Sequence, residues 1–257
     1  MIKKVKIIHP HKREIIKDTY KILDKQITRR IFAKQTLSLG LITMLTGFKL
    51  SDDFSVERAL KAMSRFNDNA QALLFDINKL APTYPASMIT KPFPFNAYYG
   101  EDEIRPSPKN FKLKVSGLVQ NKKTITLDEL QLMPQTSQIT RHICVEGWSA
   151  IGSWSGVKFS YFLNKIGADT TAKYVGFSCH DGYSTSIDMK TALHPQTLLT
   201  LKYANETLPA KYGYPLKLRM PTKLGYKNPK YINEIFVTNT YPGGFWEDKG
   251  YNWFGGS

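Results

Sequence analysis

The chain has 257 residues, 36 Lys/Arg against 21 Asp/Glu, a net charge of +15 and two cysteines. A chain this long buries a sizeable core without disulfide help, which excludes the small disulfide-stapled folds and leaves its cysteines for other chemistry. Nucleic-acid binding is not favoured either: residues 1–50 hold twelve Lys/Arg and three Asp/Glu, so most of the basic excess sits in one terminal stretch.

That stretch contains Thr28-Arg29-Arg30-Ile31-Phe32-Ala33-Lys34, followed by an apolar run over residues 36–48. Paired arginines ahead of such a run read as a twin-arginine export signal. The run is short for a hydrocarbon core of about 30 Å. The expectation is export to the periplasm by the twin-arginine machinery, a route for proteins already folded around a cofactor. Phe48-Lys49-Leu50-Ser51 lacks a small-x-small cleavage pattern, which leaves an uncleaved tether open.

Over residues 54–80, apolar residues recur at 56, 59, 60 and 63 and again at 70, 73, 74 and 77, which predicts two helices with a break at Asn67-Asp68-Asn69. Six prolines between Pro82 and Pro108 predict an extended loop laid over a surface. Phe111–Val115 alternates as a half-buried strand does, and Thr126 with Glu129 forms a capping box. The pattern continues with a strand at 139–145, a Gly/Trp loop at 147–156 and a helix at 159–166. Strands at 173–178 and 183–187 flank Asp181-Gly182. A strand at 216–220, a basic loop at 222–230, a strand at 231–238 and a Gly/aromatic tail complete the chain. An α+β fold of short strands joined by long loops follows.

Cys144 is the residue around which candidate chemistry gathers. Ile143 and Val145 flank it as in a buried strand, and Gly147, Gly152 and Gly156 permit close backbone approach. A buried thiol of this kind serves equally as a small hydrophobe or as a soft ligand for a transition metal. Arg141 and His142 beside it can attract an anion.

The runs Cys144-Val-Glu-Gly-Trp148, Trp154-Ser-Gly-Val157, Asp181-Gly-Tyr-Ser-Thr-Ser-Ile187, His194-Pro-Gln-Thr-Leu-Leu199, Leu208-Pro209, Gly225-Tyr-Lys227 and Tyr241-Pro-Gly-Gly-Phe-Trp246 occur in this order. Together they resemble the molybdopterin-binding oxidoreductases of the sulfite oxidase family over about residues 82–257. The resemblance implies an α+β, sulfite-oxidase-type fold of mixed short sheets with long cofactor-binding loops. It implies molybdopterin with one molybdenum, the metal held by Cys144. Contacts to the pterin carry over to Asn96, Tyr99, Cys179, Tyr212, Lys217, Asn228, Pro229 and Lys230, and the active-site tyrosine to Tyr183, with Arg141 as a second catalytic candidate.

Departures are also visible. Lys217 stands for an arginine of the exported methionine-sulfoxide-reducing branch, Tyr212 for an asparagine and Cys179 for a threonine. Phe95 stands where sulfite oxidases place an arginine, so a small dianion loses a partner. The expected activity is two-electron oxygen-atom transfer on an S- or N-oxide or related sulfur compound, with a sulfite oxidase-like dehydrogenase as the alternative.

No Cys-x-x-Cys-His occurs, so the chain has no iron–sulfur or covalent haem motif, and electrons pass through a haem partner, a membrane cytochrome b or a soluble cytochrome c. A monomeric catalytic subunit is expected, since little chain follows Trp253 for an added dimerisation domain. The expected organisation is an export signal at 1–50, a helical and extended lead-in at 51–90 and the oxidoreductase domain at 91–257. Two readings of another class stay open: a structural zinc or copper held by His142, Cys144, Cys179 and His180, or a Cys144–Cys179 disulfide in a non-catalytic exported domain.

Overall fold

The computed structural model describes residues 56–104 and 110–257, with residues 56–61 described by their backbone alone. The twin-arginine stretch and its apolar run lie outside the described residues. Residues Glu57–Ser257 form one compact unit.

Helix α1 (Val56–Leu74) runs straight through Asn67-Asp68-Asn69, where the spacing predicts a break. Asn and Asp cost a helix only about half a kcal/mol each, too little to end it unaided. Tertiary contacts engage the same region: Asp68 Oδ1 accepts from the Phe254 backbone N–H at 2.6 Å and Gln71 Oε1 from that of Gly256 at 3.0 Å. Ser64, Asp68, Gln71 and Ala72 are half-buried, whereas Met63, Phe66, Leu73 and Leu74 are exposed, so these four apolar side chains face outward.

The segment after α1 is extended, as its prolines require. Tyr84 N–H donates to the Ile139 carbonyl at 3.0 Å and Thr83 bridges to Thr140. The strands are β1 (Lys112–Gly117), β2 (Thr124–Thr126), β3 (Gln135–Ile143), β4 (Ser149–Lys158), β5 (Tyr174–Cys179), β6 (Ser184–Asp188), β7 (Leu198–Tyr203), β8 (Glu206–Thr207), β9 (Lys217–Arg219) and β10 (Ile232–Thr238). Short helices are α2 (Leu127–Gln131), α3 (Phe159–Lys165) and α4 (Met189–Leu193). The capping box at α2 is present: Thr126 Oγ1 accepts from Glu129 N–H at 3.2 Å, and Glu129 Oε2 from Thr126 N–H at 2.7 Å.

One sheet has the order β2-β1-β10-β5-β6, with β1 and β10 parallel and its other pairs antiparallel; the second is antiparallel, β3-β4-β7-β8, with β9 also on β7. The Gly/Trp stretch expected as a loop is strand β4, buried at every position between its ends. A strand covered on both faces loses the polar/apolar alternation that marks a half-buried one. Its glycines serve packing: a Cβ at Gly156 would lie 1.9 Å from the Leu199 carbonyl oxygen of the paired strand.

Helix α3 places Phe159, Phe162 and Leu163 in the core with Leu113, Val175, Phe177 and Ile235 of the first sheet and Leu199 and Leu218 of the second. The chain crosses from β9 in the second sheet to β10 in the first through residues 220–231. The functional cleft opens at that crossing.

Candidate cofactor site

Cys144 follows the last residue of β3 and heads a tight turn. Its N–H donates to the Trp148 carbonyl at 2.9 Å, Gly147 N–H donates back to the Cys144 carbonyl at 3.2 Å, and Gly147 takes φ +85°. Only glycine adopts that conformation freely. Glu146 Oε2 accepts from the Trp148 indole at 2.9 Å and braces the turn. The thiol is thereby held in the wall of a cleft of about 120 Å³.

Asn96 Nδ2 donates to Cys144 Sγ at 3.2 Å. Burial raises the Cys144 thiol above its ordinary range, opposed by hydrogen bonds from the Glu146 backbone and the Asn96 amide. Such a thiol stays protonated until a metal displaces its proton.

The lobe around Cys144 is aromatic and of mixed charge, with Glu146, Asp181 and Lys230 beside Tyr98, Tyr183, Trp246 and Tyr251 in its walls. Asp181 sits in the β5–β6 turn, where its Oδ1 accepts from Tyr183 N–H at 3.1 Å and its carbonyl from Tyr98 OH at 2.5 Å. Tyr183 donates its phenol proton to the Tyr226 carbonyl at 2.5 Å, and burial holds it protonated far above its ordinary range. What this phenol offers the cleft is an oxygen lone pair.

A second lobe, lined by Phe93, Asn96, His142, Trp154, Tyr212, Lys217 and Lys230, is cationic. Lys217 Nζ, fully buried, donates to the Asn228 carbonyl at 3.1 Å. Arg219 reaches the Arg141 carbonyl at 2.6 Å and Asn228 Oδ1 at 3.2 Å, and Lys230 reaches the Lys211 carbonyl at 3.1 Å while lying over the Phe95 ring at 4.3 Å. Among the described residues no carboxylate forms an ion pair with any of the three. Burial lowers Lys217 well below its ordinary value and Lys230 to about 8. His142 is also held far below its ordinary value, first by burial and then by Arg219, Lys217 and Lys230.

Of the residues singled out in the sequence, Asn96, Cys144, Tyr183, Asn228, Pro229 and Lys230 line the first lobe, and Tyr212 and Lys217 the second. Asn228 arrives with its side chain already engaged, Oδ1 by Arg219 and Met220 N–H and Nδ2 by the Leu224 carbonyl, so its role is to shape the loop. Tyr212 donates its OH to the Phe93 carbonyl at 2.8 Å.

Three others stand off the cleft. Arg141 lies over Tyr84 at 5.2 Å, because strand alternation sends it to the opposite side from its neighbour His142. Tyr99 donates to Asp181 Oδ2 at 3.3 Å, behind the wall. Cys179 packs in the hydrophobic core, where burial raises its thiol well above the ordinary range.

Both cysteines are free thiols, which overturns the disulfide reading. Among the described residues no group of three or more His, Cys, Asp or Glu is placed to hold a metal ion, which removes the four-ligand zinc or copper reading. Tyr251 is a cleft residue that no motif in the sequence singles out, and His142, expected there as an anion or metal partner, lines the second lobe.

Residues 101–246 match the oxidoreductase molybdopterin binding domain. The chain belongs to the molybdopterin-binding oxidoreductases. It is 64% identical over 247 residues, 95% of this chain and 94% of the relative, to an Azospira oryzae protein with the provisional name protein-methionine-sulfoxide reductase subunit YedZ1. It is 30% identical to the protein-methionine-sulfoxide reductase catalytic subunit MsrP of Ralstonia nicotianae, over 68% of this chain and 61% of that protein. The sulfane dehydrogenase SoxCD of Paracoccus pantotrophus shares the fold, with a TM-score of 0.50 and 18% identity over 53% of this chain and 40% of its own. The protein is therefore an enzyme of the sulfite oxidase family, an oxidoreductase whose cofactor is molybdopterin carrying one molybdenum.

The cleft fits that cofactor. A Cβ at Gly225 would meet His142 Nε2 at 2.8 Å and Asn96 Nδ2 at 3.4 Å, so glycine keeps that wall open. Neither ring nitrogen of His142 has a partner within the protein. The thiol of one lobe suits a soft metal, and the unpaired cations of the other suit a phosphate.

Proposed function

We propose that this enzyme is a periplasmic reductase that removes the oxygen atom from a sulfoxide, methionine sulfoxide being the class named for its relatives. The observation that carries the substrate choice is the lobe around Cys144. The rings of Tyr98, Tyr183, Trp246 and Tyr251 suit contact with the sulfur and apolar flanks of such a substrate, and Glu146 and Asp181 offset Lys230, the cation in the same walls, so a dianion such as sulfite finds little net attraction. Phe95 removes a further cation from that side.

Cys144 would hold the molybdenum through Sγ, with the Asn96 amide tuning the sulfur, and Lys217 and Lys230 would hold the phosphate, with Arg219 behind them, its guanidinium engaged by Met220, Asn228, Thr140 and Arg141. The bound cofactor supplies a two-electron couple able to take up one oxygen atom. The balance is sulfoxide plus two electrons and two protons giving thioether and water. Tyr183, its phenol proton held by the Tyr226 carbonyl, shapes the substrate lobe with its ring. Electrons arrive from a haem partner, because the chain has no relay centre of its own. Export by the twin-arginine route is supported by Arg29-Arg30 and the apolar run behind them. Among the described residues no helix is long and apolar enough to cross a membrane.

The test is turnover by the purified full chain, with methionine sulfoxide and a reduced viologen dye in one arm and sulfite with ferricyanide in the other. Sulfoxide reduction should dominate, and Cys144→Ser should bring it to background with loss of bound molybdenum. Faster sulfite oxidation would overturn the substrate assignment, and retained turnover in Cys144→Ser would overturn the metal ligand.

A further inference from the structure

We propose that His142 is a direct ligand of the pterin heterocycle, a cofactor-binding residue that works beside Cys144 and the cation cluster. The inference rests on the cleft being the molybdopterin site.

His142 is 2% exposed, and both of its ring nitrogens lack a hydrogen-bond partner in the protein. Buried polar side chains are nearly always satisfied, and an orphaned group is costly. A fold that needed only an aromatic ring at this position would be served better by Phe. The imidazole is also held rigidly, edge-on to Phe93 with centroids 5.9 Å apart and tilted against Trp148 at 5.6 Å. It is presented to the cleft rather than free to swing.

Its surroundings identify the part of the cofactor it meets. Gly225, by lacking a side chain, lets the backbone pack against His142 Nε2 and Asn96 Nδ2, which a Cβ would meet at 2.8 and 3.4 Å, and so brings the two groups to one spot in the cleft wall. Asn96 lines both lobes, the one holding the thiol and the one holding Lys217 and Lys230. With Cys144 to hold the metal and Lys217 and Lys230 to hold the phosphate, the residues between them would meet the heterocycle, whose edge carries both donors and acceptors. An imidazole offers one of each when neutral, a match that a lysine lacks. Trp154 Nε1, in the same wall as His142, is likewise buried without a partner and adds a donor.

The experiment compares the full-length, cofactor-loaded chain with His142→Phe and His142→Gln. Phe keeps the packing against Phe93 and Trp148 without polar atoms, and Gln keeps a donor and an acceptor. Molybdenum and oxidatively released pterin per chain are measured through prolonged dialysis, and thermal unfolding is measured on the cofactor-free chains. His142→Phe should lose pterin about tenfold faster than the parent. Its cofactor-free form should melt no lower than the parent's, and His142→Gln should retain pterin within about threefold of it. Retention by His142→Phe equal to that of the parent overturns the proposal, as does equal loss in both variants, which would mark a packing role alone. A parent chain that carries neither molybdenum nor pterin would overturn the assignment of the cleft, and this inference with it.

Discussion

Five cations between Lys217 and Lys230 look alike in sequence, and the fold separates them into two kinds. Lys227 pairs with Glu247 in the interior, where the same carboxylate also accepts from Thr185, and Lys223 lies 3.7 Å from Asp188 and over the Phe254 ring. Lys217, Arg219 and Lys230 have only neutral partners, chiefly backbone carbonyls. A buried cation with its own carboxylate belongs to the structure. One without awaits an anion from outside, because an isolated charge is far too costly to bury for packing alone.

The largest expected effect breaks the first kind. Lys227→Met strands the Glu247 carboxylate in the core and should cost about 3–5 kcal/mol, a drop of roughly 10 °C in Tm for a domain this size, with or without cofactor. Calorimetry on both forms checks it. Lys217→Met removes a buried amine that no carboxylate pairs, so the cofactor-free chain should keep its stability within about 1 kcal/mol while pterin retention falls about 10- to 100-fold. If Lys217→Met lowered the Tm of the cofactor-free chain as far as Lys227→Met, the division would fail.

The subtlest effect is in the pH dependence of Lys230. Burial lowers it from 10.5 to about 8, with Asp181 and Glu101 opposing the shift. Between those values the unfolded chain binds the extra proton, so the cofactor-free fold gains stability as pH rises. The phosphate needs the charged form, so over the same window the loaded chain should release pterin faster. Lys230→Gln should flatten both slopes, and a shared direction in the parent would contradict the assignment.

Local signals were legible in the sequence where a feature is complete within a few residues. The Thr126/Glu129 box, the strand from Ile232 and the Asp181-Gly182 turn need no distant partner. Cys144 was legible as the centre because ordered motifs surround it. Features defined by partners elsewhere were not. Strand β4 lost its alternation to burial on both faces, and α1 continues through Asn67–Asn69 where the tail from Phe254 to Gly256 docks on its polar side. Arg141 and His142 are adjacent in sequence, yet strand geometry sends one to Tyr84 and the other to the cleft. The two kinds of lysine differ by a carboxylate 20 positions downstream of Lys227, which no local pattern announces.

Lys217, Arg219 and Lys230, buried without a paired carboxylate, also tie occupancy to folding. An anion held among them favours the folded chain over the unfolded one by mass action, so a loaded molecule should outlast an empty one against heat and proteolysis.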